Sequence, residues 1–372
     1  MALNQRSLPQ DLYTPDKDTM TKRYFLIFIL VLAVTFSACA PRAQEKTEMR
    51  VLIAGSLVVP FEQLEHAFEA QHPEVDVLME GHGSIQCIRH VTELEQLADV
   101  VAVADYALLP MLMYEAREPE TGKPYASWLL QFATNELGLA YTAQSVHADE
   151  IDADNWHEIA ARPDVLFGLS DPRFDACGYR GLMTTQLAER YYGDNRIFDR
   201  VFGGRFTQFL RVQAQDGADV ISVPEVLQPK EDSGLVTRGS SVRLLGLLES
   251  GDLDYAFEYE SVSRQHGLEF LPLPAEINLS DEDYQANYDR VRVRLAFQRF
   301  TSVNPEFEGK AIAYGITIPT NAPHPDLAAE FIRFLVGPEG QKVMAENQHP
   351  MIVPPVADNE AALPPELQAL VK

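Results

Sequence analysis

Three short stretches of small and hydroxyl-bearing residues stand where a strand or loop gives way to a predicted helix. They are Ala54-Gly55-Ser56-Leu57, Gly81-His82-Gly83-Ser84 and Asp175-Ala176-Cys177-Gly178-Tyr179-Arg180. The first turn of a helix leaves backbone N–H groups without intrahelical partners and carries the positive end of the helix dipole. Several such ends directed into one cleft form an anion receptor that needs few charged side chains. The sequence therefore predicts a receptor for a small oxyanion.

The overall charge restricts the partners of such a site. The chain has 372 residues with a formal net charge of −25. A nucleic-acid partner is excluded because the sequence has no basic stripe to neutralise phosphates. The same charge opposes long-range attraction of an anion, so local dipoles must dominate within the screening distance of ~10 Å.

The elements that must position these stretches alternate between strand and helix. An apolar strand at 51–54 precedes a helix with Phe61, Leu64 and Phe68 on one face, and further strands are predicted at 75–79 and 99–104. This alternation predicts an α/β fold in which mostly parallel sheets are flanked by helices. Ligands of such sheets bind beyond the carboxyl ends of the strands, where the three stretches fall.

The length of the chain favours two lobes. Residues 137–142 and 311–319 are two apolar segments that we interpret as paired hinge strands between the lobes. The predicted organisation is then a first lobe of residues 49–142 plus 312–358, a second lobe of residues 143–311, and a tail at 359–372. Weak structure is expected from Pro354-Pro355 onward. Further predictions are core strands at 165–169 and 255–259, a β excursion at 211–237 and a helical segment at 326–344 that is broken at Gly337-Pro338.

The N-terminus has the features of an export signal. Lys22-Arg23 precede an apolar run that ends in Phe36-Ser37-Ala38-Cys39, which resembles a bacterial lipobox. We predict that translation starts at Met20, that residues 1–39 are leader and lipoprotein signal, that Cys39 is lipidated, and that residues 40–48 are a tether. The alternative is a simple N-terminal anchor helix, and either one exports the protein to a periplasmic or extracytoplasmic, membrane-anchored location.

Two further thiols, Cys87 and Cys177, lie in or just after two of the proposed binding turns. A disulfide between them would lock together the lobes that must open and close. We therefore expect two buried, unpaired thiols. Trp128 and Trp156 are expected in the core, and Arg180 is expected to be a structural ion-pair partner.

An ordered set of motifs extends the pattern along the chain. Its members are Ala54-Gly55-Ser56-Leu57, Gly83-Ser84, Ala98-Asp99-Val100, Ala104-Asp105-Tyr106, Cys177-Gly178-Tyr179-Arg180, Glu249-Ser250-Gly251-Asp252-Leu253-Asp254-Tyr255, Gln265-His266-Gly267 and Ala313-Tyr314-Gly315-Ile316-Thr317-Ile318-Pro319. Together they resemble the tungstate/molybdate-binding proteins of ABC importers, in their archaeal-type branch. The resemblance covers roughly residues 50–355.

This resemblance implies a two-lobed type II periplasmic-binding-protein fold that closes on one dianion, molybdate or tungstate, without a further cofactor. Ser56 and Ser84 would donate from the first lobe. Asp175, the N–H groups of Ala176 and Cys177, and the phenol of Tyr259 would meet the ligand from the second. The implied partners are an ABC permease and its ATPase, with the protein itself expected to be a monomer.

One family feature is missing. In that branch an aspartate, here Asp175, and a glutamate coordinate the metal of the oxyanion, whereas Ser241 stands at the position of the glutamate. Asp175 remains a metal ligand only if the bound oxyanion is metal-coordinated. Otherwise Ser241 supplies a hydroxyl donor, and Asp175 is a helix cap or accepts a proton from an oxyanion such as hydrogen phosphate. His82 is a further potential donor.

Other functions remain as alternatives. One is a binding protein for hydrogen phosphate or sulfate. Another is an exported hydrolase with Cys177 as nucleophile beside His82 or His266, or with Asp175 and Glu258 as an acid–base pair. A third is ferric-ion binding through Tyr255, Tyr259 and Asp175. Because the sequence has no nucleophile elbow, HExxH or P-loop motif, it predicts a binding protein rather than an enzyme.

Overall fold

The computed structural model describes residues 46–296 and 305–371. These described residues form one compact unit. The predicted start at Met20, the lipidation of Cys39 and most of the predicted tether lie outside the described residues.

The strands follow one another along the chain with helices between most of them. Their bounds are β1 Thr47–Ala54, β2 Val75–His82, β3 Val100–Val103, β4 Leu130–Thr134, β5 Leu137–Tyr141, β6 Phe167–Ser170, β7 Arg211–Gln215, β8 Ala218–Val223, β9 Leu235–Arg238, β10 Tyr255–Tyr259, β11 Glu269–Pro272, β12 Val291–Leu295, β13 Glu306–Glu308, β14 Ala313–Thr317 and β15 Met351–Ala357. The α-helices are α1 Val58–Gln71, α2 Ser84–Thr92, α3 Trp156–Ile159, α4 Ala176–Tyr192, α5 Ile197–Phe202, α6 Val242–Ser250, α7 Glu260–Gln265, α8 Gln285–Tyr288, α9 Pro325–Val336, α10 Pro338–Glu346 and α11 Pro365–Gln368.

The first sheet has six strands in the order β15-β4-β14-β3-β1-β2. β1 lies between β2 and β3 and is parallel to both, whereas β14, β4 and β15 add antiparallel pairs. All four residues of β3 are buried, as expected for a strand that is covered on both faces. Helix α1 covers the sheet with Phe61, Leu64 and Phe68, whose helical spacing forms one apolar face.

The second sheet has five strands in the order β11-β5-β10-β6-β9. Its β9, β6 and β10 strands are parallel, and β5 joins β10 and β11 by antiparallel pairing. A third sheet, β13-β12-β8-β7, was not predicted. Its hairpin β7–β8 forms the first half of the excursion predicted at 211–237, whose end belongs to β9 of the second sheet. Asp216 and Gly217 at the hairpin turn both have positive φ, the conformation that a tight hairpin turn requires.

The predicted hinge strands are not paired with each other. β5 pairs with β10 and β11, whereas β14 pairs with β3 and β4. The chain therefore leaves the first sheet between β4 and β5, at Asn135 and Glu136, and not at residue 142. The periodicity of an apolar strand shows that it is buried but not which neighbour it pairs with, and this is the reason for the difference.

The expected ends of the first lobe also differ from the structure. β1 already begins at Thr47, inside the predicted tether. Pro354-Pro355 belong to β15 at an edge of the first sheet, where prolines are tolerated because they need not donate to a neighbouring strand. The predicted tail contains α11, whose Leu367 is fully buried.

The α/β fold class is confirmed. The break between α9 and α10 at Gly337 and the burial of Trp128 and Trp156 also agree with the predictions. Within residues 46–296 and 305–371, no helix combines the length and the apolar character needed to cross a bilayer.

Candidate functional site

The predicted site residues stand at the carboxyl ends of parallel strands in two different sheets. In the first sheet Ser56 follows β1 and Ser84 follows β2. In the second sheet Asp175 follows β6, Ser241 follows β9, and Tyr259 is the last residue of β10. This is the edge where open α/β sheets bind ligands.

The two edges are in direct contact. Ile85, in the first turn of α2, donates its backbone N–H to the carbonyl oxygen of Phe174 at 3.1 Å. A Cβ atom added to Gly83 would lie 2.4 Å from that same oxygen, so only glycine fits where the backbones approach. The turn before Ser84 therefore meets the turn before Asp175, in the arrangement expected of a closed cleft.

Ser56 is held by a chain of hydrogen bonds. It is 4% exposed, and its Oγ accepts the hydroxyl proton of Tyr314 at 3.0 Å. Asn135 in turn donates from Nδ2 to the Tyr314 oxygen at 3.2 Å and to Ser261 Oγ at 2.8 Å. The relay leaves the proton of Ser56 free for an acceptor, because the serine oxygen is already used as an acceptor.

The hydroxyl oxygens of Ser84 and Tyr259 also accept hydrogen bonds from the protein. Ser84 is fully buried at the start of α2, and its Oγ accepts the backbone N–H of Ala104 at 3.0 Å. The Tyr259 hydroxyl accepts from Arg180 Nη1 at 2.8 Å. Burial raises the pKa of Tyr259 well above its ordinary value, so the phenol keeps its proton. Among the described hydrogen bonds, none uses the proton of Ser56, Ser84 or Tyr259.

Arg180 connects the two sheets. Its Nη1 also donates to the carbonyl oxygen of Ala104 at 2.7 Å, and its Nη2 lies 3.6 Å from Asp105 Oδ2. The neighbouring Tyr179 donates its hydroxyl to the same Asp105 oxygen at 2.7 Å. The guanidinium is 2% exposed and its charge is balanced by Asp105, which agrees with the predicted structural role.

The second sheet brings Asp175, Ser241 and Glu258 together. Asp175 occupies the cap position before α4, and its Oδ2 accepts the backbone N–H of Ser241 at 2.7 Å. The Ser241 hydroxyl donates to Glu258 Oε1 at 3.1 Å, and that oxygen also accepts the N–H of Tyr259 at 2.7 Å. Ala176 and Cys177 follow as the first residues of α4, a 17-residue helix that starts at this point.

Glu258 is a neutral acid at pH 7. Burial raises its pKa to about 8, and the nearby Asp175 carboxylate acts in the same direction. Its Oε2 is buried and has no hydrogen-bond partner, whereas Oε1 has two donors. The proton is therefore placed on Oε2, where it can be donated to an incoming acceptor. Burial likewise raises the pKa of Asp175.

The cysteines are unpaired, as predicted. Cys87 donates to the Ile53 carbonyl oxygen at 3.1 Å and Cys177 to that of Phe257 at 3.3 Å, and both are buried. Burial raises the pKa of both thiols. A nucleophilic cysteine needs the opposite shift, so the structure gives no support to Cys177 as a hydrolase nucleophile.

The predicted iron site fails on geometry, and His82 lies in a cluster of its own. The Tyr255 hydroxyl donates to the carbonyl oxygen of Val146, so it does not join Tyr259 and Asp175 in an iron site. His82 is half-buried beside Glu80 and His90, with its Nε2 atom 3.7 Å from Glu80 Oε2. Burial lowers the pKa of His82, with a smaller contribution from His90.

Tyr314 and Asn135 are site residues that the sequence does not predict. Tyr314 lies within the motif Ala313–Pro319, and its hydroxyl contacts Ser56, 258 positions away along the chain. Asn135 lies between two strands with nothing local to mark it. The ring centres of Tyr314 and Tyr259 are 6.2 Å apart, so these two rings from the two sheets pack against each other.

Comparison with known proteins decides the family. The sequence profile of the bacterial extracellular solute-binding proteins matches residues 49–347. The chain belongs to this family. An uncharacterized solute-binding protein of Methanoculleus marisnigri is 40% identical over 361 residues, which is 93% of this chain and 97% of that protein.

Named relatives confirm the resemblance found in the sequence. The molybdate/tungstate-binding protein WtpA of Thermococcus kodakarensis is 37% identical over 93% of this chain and 96% of its own length. Pyrococcus abyssi has a relative of the same name with the same identity and coverage. The solved periplasmic molybdate-binding protein of Azotobacter vinelandii, 13% identical, superposes with a TM-score of 0.51 over 81% of this chain and 98% of that one, which supports the fold.

Proposed function

We propose that this solute-binding protein captures molybdate or tungstate between the carboxyl ends of its two larger sheets and delivers the anion to an ABC permease and its ATPase. We further propose that it works outside the cytoplasm as a lipoprotein anchored through Cys39. The names of the 37% identical relatives support the ligand, and the family supports the transport role.

The observation that carries the proposal is the state of the three hydroxyls. Ser56, Ser84 and Tyr259 each accept a hydrogen bond from the protein, so each has its own proton left to donate. A tetrahedral oxyanion has four oxygens and needs many donors at once. Hydroxyls that are held in place by other donors replace the water of hydration without reorganisation when the cleft closes.

Glu258 would add a hydrogen-bond donor at a position where an ionised carboxylate would repel the dianion. With its pKa near 8 it is neutral at pH 7, and its unpartnered Oε2 would donate to the dianion. The charge of Arg180, which donates to the Tyr259 hydroxyl, is balanced by Asp105. The site we propose therefore binds a dianion through neutral dipoles, despite the net charge of −25.

We also propose hydrogen-bonded, tetrahedral binding rather than six-coordination of the metal. Six-coordination needs two carboxylates, and only Asp175 stands at the matching positions because residue 241 is serine. The backbone N–H of Ser241 donates to one carboxylate oxygen of Asp175, and the Ser241 hydroxyl donates to Glu258. Asp175 then orders the start of α6 and is not itself a ligand to molybdenum or tungsten.

Calorimetric titration of the full-length protein with molybdate, tungstate, sulfate and phosphate tests the proposal. Molybdate and tungstate should each bind at one site per chain and more tightly than the other two. Tighter binding of phosphate or sulfate would move the assignment to the alternative oxyanions. If none of the four binds to folded protein, the site assignment fails.

The residue-level test compares two serines. Ser56→Ala removes a buried donor of the proposed site and should weaken molybdate binding roughly three- to tenfold, the value of about one hydrogen bond. Ser127→Ala makes the same change at an exposed position and should leave the affinity unchanged. Equal affinities for the two variants would exclude Ser56 from the site.

A further inference from the structure

A group of three metal-ligating side chains lies beside the first sheet, and the proposed oxyanion site does not use it. Glu80 and His82 are on β2, and His90 is in the last turn of α2. One potential ligand atom from each residue lies within 4.8 Å of the other two. The two imidazole rings have their centres 4.4 Å apart.

The ring nitrogens of this group lack the partners that buried polar atoms normally have. Both His82 Nε2 and His90 Nδ1 are buried and have no hydrogen-bond partner among the described residues. Such atoms are uncommon in native proteins because leaving them unpaired costs free energy. His82 Nε2 lies 3.7 Å from Glu80 Oε2, too long for a good hydrogen bond.

The distance between His82 and Glu80 fits two ligands of one metal ion better than it fits a direct hydrogen bond. Ligands at the usual Zn–N distance in a tetrahedral site are about 3.4 Å from one another. The observed 3.7 Å between His82 and Glu80 needs only a small contraction to reach that value.

The carboxylate is already oriented for such a role. Glu80 Oε1 accepts from Gln96 Nε2 at 3.0 Å and lies 3.6 Å from Arg50 Nη1, so its other oxygen is left to face His82. Contacts of this kind fix a ligand before the metal arrives and raise the affinity of the site.

We propose that Glu80, His82 and His90 form a binding site for one divalent transition-metal ion of the Zn²⁺ type. Two imidazole nitrogens and one carboxylate oxygen select zinc, copper or nickel over magnesium and calcium, which prefer oxygen ligands. Three protein ligands leave a fourth position open to water or to an exogenous anion. The ion would join the end of β2 to the end of α2, and so fix the helix whose first residue is Ser84.

Titration of the full-length protein with Zn²⁺ in an oxyanion-free buffer tests this site separately from the proposed function. We expect one Zn²⁺ per chain, no comparable heat with Mg²⁺, and visible absorption bands of a low-coordinate site when Co²⁺ is the probe. His90→Gln and His82→Gln should each weaken Zn²⁺ binding by more than roughly tenfold, since even the loss of an outer contact costs that much.

His66→Gln is the matched control, because His66 is an exposed histidine outside the group. It should leave Zn²⁺ affinity unchanged. Should the histidine variants unfold, Glu80→Gln provides a third test, with circular dichroism to confirm folding. The proposal is overturned if the wild-type protein binds no Zn²⁺, or if His66→Gln reduces the affinity as much as His90→Gln does. Neither result bears on molybdate, which is absent from the titration.

Discussion

Tyr314 donates its hydroxyl proton to Ser56 Oγ at 3.0 Å, and it is the only described side chain that does so. Ser56 and Tyr314 are far apart in the sequence, just after β1 and within β14. The bond fixes the rotamer of a serine whose remaining proton points elsewhere. Tyr314 is thus a positioning residue for a donor that we assign to the oxyanion.

Removal of that hydroxyl should weaken ligand binding without unfolding the protein. Tyr314→Phe keeps the buried ring but releases Ser56, and we expect a loss of molybdate affinity of about 0.5–1.5 kcal/mol, roughly two- to tenfold. Tyr288→Phe is the matched control, since the Tyr288 hydroxyl donates to the Ala275 carbonyl oxygen away from the site. Both variants are compared by calorimetry. A loss of affinity in Tyr288→Phe of the same size would point to a general effect of stability.

Molybdate affinity should decrease above pH 8 because of Glu258. Burial raises its pKa to about 8, so the carboxyl is neutral at lower pH and becomes an anion beside the ligand as the pH rises. We expect affinity to be constant from pH 6 to about 7.5 and then to fall by up to tenfold per pH unit. Calorimetry over the range pH 6 to pH 9 measures this.

Glu258→Gln keeps a neutral side chain at every pH and should remove the decrease. The raised pKa of Glu258 also affects the stability of the protein without ligand. Because the folded-state pKa of Glu258 lies above its ordinary value of 4.5, the contribution of this carboxyl to stability is fully present below about pH 4.5 and is lost as the pH rises through 8. Glu258→Gln should therefore be more resistant to denaturant than wild type at pH 9. A decrease in affinity that is identical in Glu258→Gln would assign it to another group.

The sequence identified the residues that stand at helix starts but not those that reach them from a distance. Ser56, Ser84 and Asp175 follow recognisable strand-to-helix junctions, and the parallel strands β1, β2 and β6 bring such junctions to sheet edges. Tyr314 and Asn135 reach the same place from elsewhere in the chain. Their role depends on the order β4-β14-β3 in the first sheet, and no local pattern encodes that order.

The prediction of paired hinge strands was wrong because strand pairing, too, is not encoded locally. β5 and β14 both read as strongly apolar strands, and burial on both faces produces that pattern whichever sheet a strand joins. Pairing is decided by long-range contacts. The sequence singles out Glu258 only as an acid–base partner of Asp175. Its raised pKa could not be recognised, because that shift follows from burial beside Asp175, 83 positions away along the chain.

The buried thiols should resist alkylation in the native protein. Cys87 and Cys177 are each 0% exposed, and burial raises the pKa of both, so neither the access nor the thiolate that iodoacetamide needs is present. We expect no label on either residue in native buffer and complete labelling in denaturant, read by mass spectrometry of the two peptides. Labelling of Cys177 in the native state would contradict its burial and support a role as a nucleophile.

Asp175 should matter more for stability than for the choice of ligand. Its Oδ2 accepts the buried N–H of Ser241 at 2.7 Å, and Asp175→Ala would leave that N–H without a partner. We expect the free energy of unfolding to fall by about 1–3 kcal/mol, measured by urea denaturation without ligand. Asp175→Asn retains an acceptor oxygen and should lose less. Asp149→Ala, at an exposed position, is the control and should be neutral.

The same pair of variants separates the two modes of oxyanion binding. If Asp175 only orders the Ser241 turn, Asp175→Asn should bind molybdate within roughly fivefold of wild type, because the hydroxyl donors and Glu258 stay in place. If the carboxylate instead coordinates the metal of the oxyanion, an amide cannot replace it, and affinity should fall far more steeply than stability does. A large loss of affinity in a normally stable Asp175→Asn protein would therefore refute the tetrahedral, hydrogen-bonded site and restore metal coordination by Asp175.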